Sequence, residues 1–360
     1  MIFRGLMRPP NFKKSRHLSL IKKDQLPIAN RQKKSHYVSV SHMLPFLQKM
    51  PAERKVRKIP LLMKIPAFLR VLTVTLAAAF SAQAGRPFLC CDYNGDKVFR
   101  VSAEGKIEWE FSLKHPQDCW LLPNGNYLFA HVSGAVEVTP EKKVVWEYKA
   151  PEKVEVDACQ PLPDGRVLVV ECGTSRIVEV DREGKVTKEI KLETLPTITT
   201  HEQFRGTRKT VNGHYLVCFK GEHKVVELDG EGKVLRKIAV PGDCHEVVPL
   251  ADGHLLVTCG DGHQVVELDA QEKIVWQLGE NDLPGNPLRL MAGCQRLPNG
   301  NTVFCNYLGH GHIGEQPQFF EITPEKKVVW QFDDREHFKT INQVQMLDVP
   351  GDVTKGEILR

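Results

Sequence analysis

Leu297-Pro298-Asn299-Gly300-Asn301-Thr302-Val303-Phe304, then Phe320-Glu321-Ile322-Thr323-Pro324 and Lys327-Val328-Val329-Trp330-Gln331, reads as short apolar strands joined by turns. Asn-Gly between apolar residues predicts a two-residue type I′ hairpin, because both turn positions need a positive φ that Asn and Gly tolerate. The unit recurs as Leu122-Pro-Asn-Gly125-Asn, Leu162-Pro-Asp-Gly165-Arg, Thr210-Val-Asn-Gly213-His and Leu250-Ala-Asp-Gly253-His, at glycine spacings of 40, 48, 40 and 47 residues. Periods of this length indicate a repeat architecture in which each copy is one supersecondary unit.

Each hairpin is followed by a Val-x-Glu-Val-like strand (Ala135–Val138, Ile177–Val180, Val225–Leu228, Val265–Leu268, Phe319–Ile322). A turn rich in Glu, Gly and Lys then leads to a fourth strand beginning at Lys143, Lys185, Lys233, Lys273 or Lys327. Five four-stranded units are therefore complete. Residues 88–91, 97–101 and 106–109 match the second, third and fourth strands of a sixth, and residues 342–347 before Pro350-Gly351 match its missing first strand. A unit shared between the termini closes a ring and protects its edges. The expected fold is all-β: a six-bladed β-propeller of four-stranded antiparallel blades over residues 85–360.

The Leu-Pro-Asn-Gly-Asn hairpins, with Val-x-Glu-Val and Lys-Val-Val-Trp, resemble propeller repeats of the quinoprotein-dehydrogenase-like (PQQ-like) superfamily and of arylsulfotransferases. The resemblance spans the sequence after residue 84 and speaks for architecture more than chemistry, since such folds host unrelated functions. It implies that Trp109, Trp146, Trp276 and Trp330, equivalent on their fourth strands, dock neighbouring blades, with Lys188 and Arg236 standing in their place elsewhere. No PQQ-binding set is recognisable, and PQQ dehydrogenases usually have eight blades. Arylsulfotransferases use an active-site His as transient sulfate acceptor, which directs attention to His245 and His201. The larger insertions and accessory domain of that family are absent, and its full His/Arg set is not matched.

The net charge of +5 is misleading. Residues 1–62 hold fifteen Lys or Arg against Asp24 and Glu53, which leaves −8 for residues 63–360. Lys64 and Arg70, the apolar run 71–80 and Ala82-Gln83-Ala84 have the three parts of a secretory signal, so cleavage before Gly85 is expected. Residues 1–62 then read as a basic leader, either disordered or an over-extended translation start. The expectation is an exported protein, periplasmic or secreted, with no transmembrane anchor after cleavage. An acidic domain argues against nucleic acid as a partner.

All ten cysteines follow residue 84, where export permits disulfides. A two-residue turn at Asn299-Gly300 places Cys294 directly opposite Cys305 as a candidate pair; Cys159 with Cys172 and Cys244 with Cys259 are diagonal and weaker. Cys119, Cys159 and Cys294 share one register, which favours small side chains packed near a crowded axis.

Of eleven histidines after residue 84, only His214 and His254 lie at the hairpin glycines; the other nine fall in or beside segments of the opposite face. The longest loops, near 191–205, 279–292 and 306–317, belong to that same face. His245 and His201 are the candidate catalytic residues. Arg205, Glu202, Glu246, Arg289, His310 and His312 are the candidate ligand-binding ones. Imidazoles bind divalent metals and Arg matches sulfate or carboxylate, so a metal, a small molecule or a partner protein fits this face. The expected function is a binding module or scaffold. The alternative is an arylsulfotransferase-like or metal-dependent propeller enzyme using a channel-mouth His.

Overall fold

The computed structural model describes residues 85–360, and the leader and signal segment read in residues 1–84 lie outside them. Six four-stranded antiparallel sheets form the blades of a six-bladed β-propeller. The closing blade pairs Ile341–Met346 with Phe88–Asp92, which joins the two ends of the ring as the partial repeats predict. Six buried apolar clusters fill the six seams between adjacent blades, so the core is a ring rather than a single centre. Among the described residues no helix is long and apolar enough to cross a membrane.

The hairpin turn differs from the two-residue expectation. Leu297 N donates to Asn301 O at 2.8 Å and Gly300 N to Leu297 O at 2.9 Å, so the loop holds three residues, Pro298-Asn299-Gly300. Gly300 has φ +86° while Asn299 is not left-handed. This is a type I turn ending in a left-handed glycine bulge, in which Pro supplies the first φ and Asn299 Oδ1 accepts from Asn301 N at 3.0 Å. The same closure recurs at Leu122, Leu162, Thr210 and Leu250.

One extra turn residue overturns the Cys294–Cys305 pairing. Cys294 lies opposite Phe304, not Cys305. A slip of one residue sends a side chain to the other face of a strand. Counting the closing blade as the first, Cys294 accordingly packs in the seam between the fifth and sixth blades and Cys305 in the seam between the sixth and the first. All ten cysteines are buried and unbonded.

The tryptophans join blades as expected. Trp109, Trp146 and Trp276 Nε1 donate across a seam to Pro140 O, Asp181 O and Pro324 O at 2.7–2.8 Å. Lys188 Nζ reaches Gly230 O in the corresponding way, and Trp330 crosses the closing seam to Phe88. Trp146→Phe keeps the ring but leaves Asp181 O without its donor, and should cost about 1 kcal/mol in thermal or urea denaturation. An unchanged midpoint would show that the bond adds nothing to ring closure.

The Val-x-Glu-Val glutamates form a second repeated link. The residue after each hairpin glycine meets one of them: Asn126 with Glu137 at 2.6 Å, Arg166 with Glu179 at 2.6 Å, His214 with Glu227 at 2.8 Å, His254 with Glu267 at 2.8 Å and Asn301 with Glu321 at 2.7 Å. The two hairpin histidines thus perform a structural task that Asn or Arg performs in other blades.

Candidate functional site

The first strand of each blade lines the central channel, and five of the six carry a β-bulge near their loop-face end. The register shifts fall at Gln117, at Asp157, at Arg205-Gly206, at Ala292-Gly293 and at Asn342. A bulge inserts one unpaired residue and re-aims its side chain. In the remaining blade His245 immediately precedes the strand Glu246–Pro249. Gln117, Asp157, Arg205, His245, Ala292 and Gln343 all line one cavity of about 100 Å³ at the channel mouth, joined by Tyr93, His201, Lys220, Tyr307, His310 and Asn342.

Two glycines make room for channel-facing side chains of neighbouring blades. A Cβ at Gly206 would lie 2.2 Å from Glu246 Oε1, and one at Gly293 would lie 1.9 Å from Gln343 Oε1. Both positions therefore require glycine as long as those side chains stay in place.

One wall of the cavity is a chain of charged and polar contacts. Glu155 Oε2 meets His201 Nδ1 at 2.9 Å, and Arg205 Nη2 lies 3.1 Å from His201 Nε2. A guanidinium can only donate, so His201 Nε2 is the acceptor and Nδ1 carries the proton toward Glu155. Arg205 Nη1 continues to Asp157 Oδ2 at 3.3 Å, and Cys172 Sγ donates to Asp157 Oδ2 at 3.1 Å. His201 thus holds Arg205 in place with both of its nitrogens occupied. Lys220 Nζ is held by Glu202 Oε1 at 2.6 Å, which makes Glu202 a support behind the wall.

His245 is different. Its backbone is pinned by N–H to Thr258 O at 2.9 Å and by its carbonyl accepting from Gly206 N at 2.8 Å. Its Nε2 is buried with no hydrogen-bond partner. Burial, then the nearby positive charges of Arg205 and Lys220, hold its pKa well below the ordinary value, so the ring is neutral. Asp157 Oδ1 and Asn342 Oδ1 are likewise buried without partners. The Asn342 orientation is set by its Nδ2, which donates to Pro116 O at 3.1 Å. Tyr93 and Tyr307 stand edge to face at 6.1 Å, and Tyr93 stacks on His115 at 4.6 Å. Burial pushes the Tyr307 phenol up to about 12, leaving it a donor.

Below the cavity, the channel is filled by a buried ionic group. Arg208 Nη1 meets Asp118 Oδ2 at 3.0 Å and its Nη2 meets Glu246 Oε2 at 2.9 Å. Arg360 Nη1 reaches Asp118 Oδ1 at 3.3 Å and its guanidinium lies 4.1 Å from the Trp120 ring centre. Gln343 Nε2 also donates to Glu246 Oε2 at 2.8 Å. At the hairpin face, Val353 and Ile358 pack against the seam that contains Leu122 and Trp120.

The structure therefore brings His245, His201, Arg205, Glu246 and His310 to one cavity. Arg289 instead caps loop carbonyls of Asn286 and Leu288 at 2.9 and 2.8 Å. His312 is half-buried, lies outside the cavity lining and pairs with Glu315 at 2.7 Å. Asp157, Lys220 and Asn342 were not foreseen from the sequence. A signal existed, since Gln117, Asp157, Arg205, His245, Ala292 and Gln343 all stand eight residues before a turn glycine. For a metal ion, the one group among the described residues with three ligand atoms within 4.8 Å of one another is Asp252, His254 and Glu267. It lies on the hairpin face and is one copy of the repeated turn-to-glutamate link, with Arg296 also on Glu267.

No protein-family model matches the chain, nor does any curated protein. Among solved structures, a protein of unknown function from Bacteroides caccae is 31% identical with a TM-score of 0.66, over 72% of this chain and 98% of that one. A catalytically inactive virginiamycin B lyase from Staphylococcus aureus, solved with quinupristin, is 12% identical with a TM-score of 0.52, over 71% and 87%. A chain of a nidogen/laminin complex is 10% identical with a TM-score of 0.53, over 72% and 97%. The last two likenesses are of fold alone.

Proposed function

We propose that this chain, which belongs to the same six-bladed propeller family as the Bacteroides caccae protein, is a binding module. In this reading its channel mouth takes a small polar molecule bearing hydroxyl or ammonium groups. The observation that carries the reading is the set of three buried, unpartnered atoms on residues that line the cavity from three different blades: Asp157 Oδ1, Asn342 Oδ1 and His245 Nε2. A buried polar group left unmet costs about 1–3 kcal/mol, so these atoms favour an occupant whose hydrogen-bonding groups answer them. Two of them are acceptors and ask for donated hydrogens. Arg205 and Lys220 are already committed to carboxylates, which argues against a ligand held by bare cations. Only a small group is enclosed, since a cavity of about 150 Å³ is what encloses benzene. Anything larger extends outward past Tyr93 and Tyr307, whose rings, packed edge to face, offer an apolar flank.

The test is calorimetry or thermal-shift screening with polyols, monosaccharides, amino alcohols and simple anions. Hydroxyl- or ammonium-bearing compounds should bind, and His245→Phe should weaken the best of them by about tenfold, the value of one hydrogen bond. Binding of sulfate or phosphate in preference to every donor-bearing compound would overturn the ligand class, and equal binding by the variant would move the site elsewhere.

A second reading follows from His245 alone. A neutral imidazole with an unengaged nitrogen beside Arg205 is also what a nucleophile or base requires. Turnover of an aryl sulfate by wild type, lost in His245→Ala, would favour this arylsulfotransferase-like alternative. Export is part of the proposal, and a mature N-terminus other than Gly85 would remove it.

A further inference from the structure

We infer that Cys218 and Cys244 form a disulfide that ties the fourth blade to the fifth beside the ligand cavity. Cys218 lies in the second strand of the fourth blade, Tyr215–Phe219, and Cys244 in the segment leading into the first strand of the fifth, next to His245. Their sulfur atoms are 2.7 Å apart. A disulfide is about 2.05 Å long, so closing this gap needs a movement of well under 1 Å. Cys91 and Cys119 also share a thiol–thiol contact, across the seam between the closing blade and the next, and a bond mapped there in place of Cys218–Cys244 would count against the inference. Both residues are fully buried in one apolar cluster, where no water competes for them.

The chemistry is an ordinary exchange. The two thiols give up two protons and two electrons, the Sγ–Sγ bond forms, and a disulfide-bearing oxidant, small-molecule or protein, is cleaved to two thiols. Burial raises both thiol pKa values, so neither sulfur reacts readily once the blades have closed. Oxidation therefore belongs to folding, before the seam is sealed. The bond also has a local consequence, because the segment it anchors carries His245, whose backbone already bridges to Thr258 and Gly206.

The experiment uses the full chain produced in an oxidising compartment, alkylated in denaturant without reductant and weighed. Eight of the ten cysteines should take the label, and peptide mapping should recover Cys218 joined to Cys244. Ten labelled cysteines, or a bond between Cys244 and Cys259 or between Cys294 and Cys305, would overturn the inference. Thermal unfolding provides a second measurement. Cys218→Ala should lower Tm by about 5 °C or more relative to the oxidised protein, given the 26-residue separation. Wild type in strong reductant should show most of the same loss, whereas a wild-type Tm indifferent to reductant counts against the bond.

Discussion

Arg208→Met is expected to destabilise the propeller by about 3–5 kcal/mol, the cost of removing one partner from a buried ionic group. Arg208 is completely buried on the channel axis, shared between Asp118 of the second blade and Glu246 of the fifth, with its guanidinium 5.2 Å from the Trp120 ring centre. Methionine fills similar space, so the loss is electrostatic rather than a cavity. Arg360 remains beside Asp118, which leaves Glu246 as the carboxylate stripped of its cation. Lysine is a poor substitute, because one ammonium cannot reproduce a planar fork that addresses two carboxylates at once. At pH 8, above the point where wild-type Glu246 gives up its proton, Glu246→Gln in the Arg208→Met background should recover part of the loss, since it removes the stranded charge. Urea denaturation followed by tryptophan fluorescence measures both variants. A loss below about 1 kcal/mol would mean that the axis is solvated and the ionic group is not buried in the sense argued.

The blade count, the closure of the ring and the docking tryptophans were legible in the sequence because each is a local pattern repeated at a fixed period. The central ionic group was not legible. Asp118, Arg208 and Glu246 are brought together from three blades and share no motif, so only the folded ring makes them neighbours. The bulges were equally silent, since inserting one residue into a strand leaves composition and hydrophobic pattern almost unchanged. Gly206 and Gly293, at two of the five bulges, are the only trace in residue type. The error at Cys305 had the same origin: Pro-Asn-Gly was read as a two-residue turn, and one residue of register moved a side chain to the opposite face. The asymmetry in the histidines singles out the end of the channel where this cavity opens. It could not separate His245, with a free ring nitrogen, from His201, whose two nitrogens both hold neighbours.

The pH dependence of stability should separate two groups that act in opposite directions at the floor and wall of this cavity. Burial, then Asp118 against the opposing pull of Arg208, pushes the Glu246 carboxyl up to about 7. Between its ordinary value near 4.5 and 7 the folded state holds a proton that the unfolded state has released, so stability falls as pH rises through that window and is level above it. The shift corresponds to about 3 kcal/mol. His245 contributes the reverse. Its folded pKa is depressed, so below about 6.5 the unfolded chain takes up a proton that the folded chain refuses, and stability falls as pH drops. In wild type the two slopes offset each other between about pH 4.5 and 6.5, and the profile there should be shallow. Glu246→Gln removes the first and should expose a stability that climbs with pH up to about 6.5; His245→Phe removes the second and should expose one that declines up to about 7. Urea midpoints taken from pH 4.5 to 8 decide the matter. If the Glu246→Gln profile keeps the wild-type shape, Glu246 is ionised throughout and its pairing with Arg208 outweighs burial.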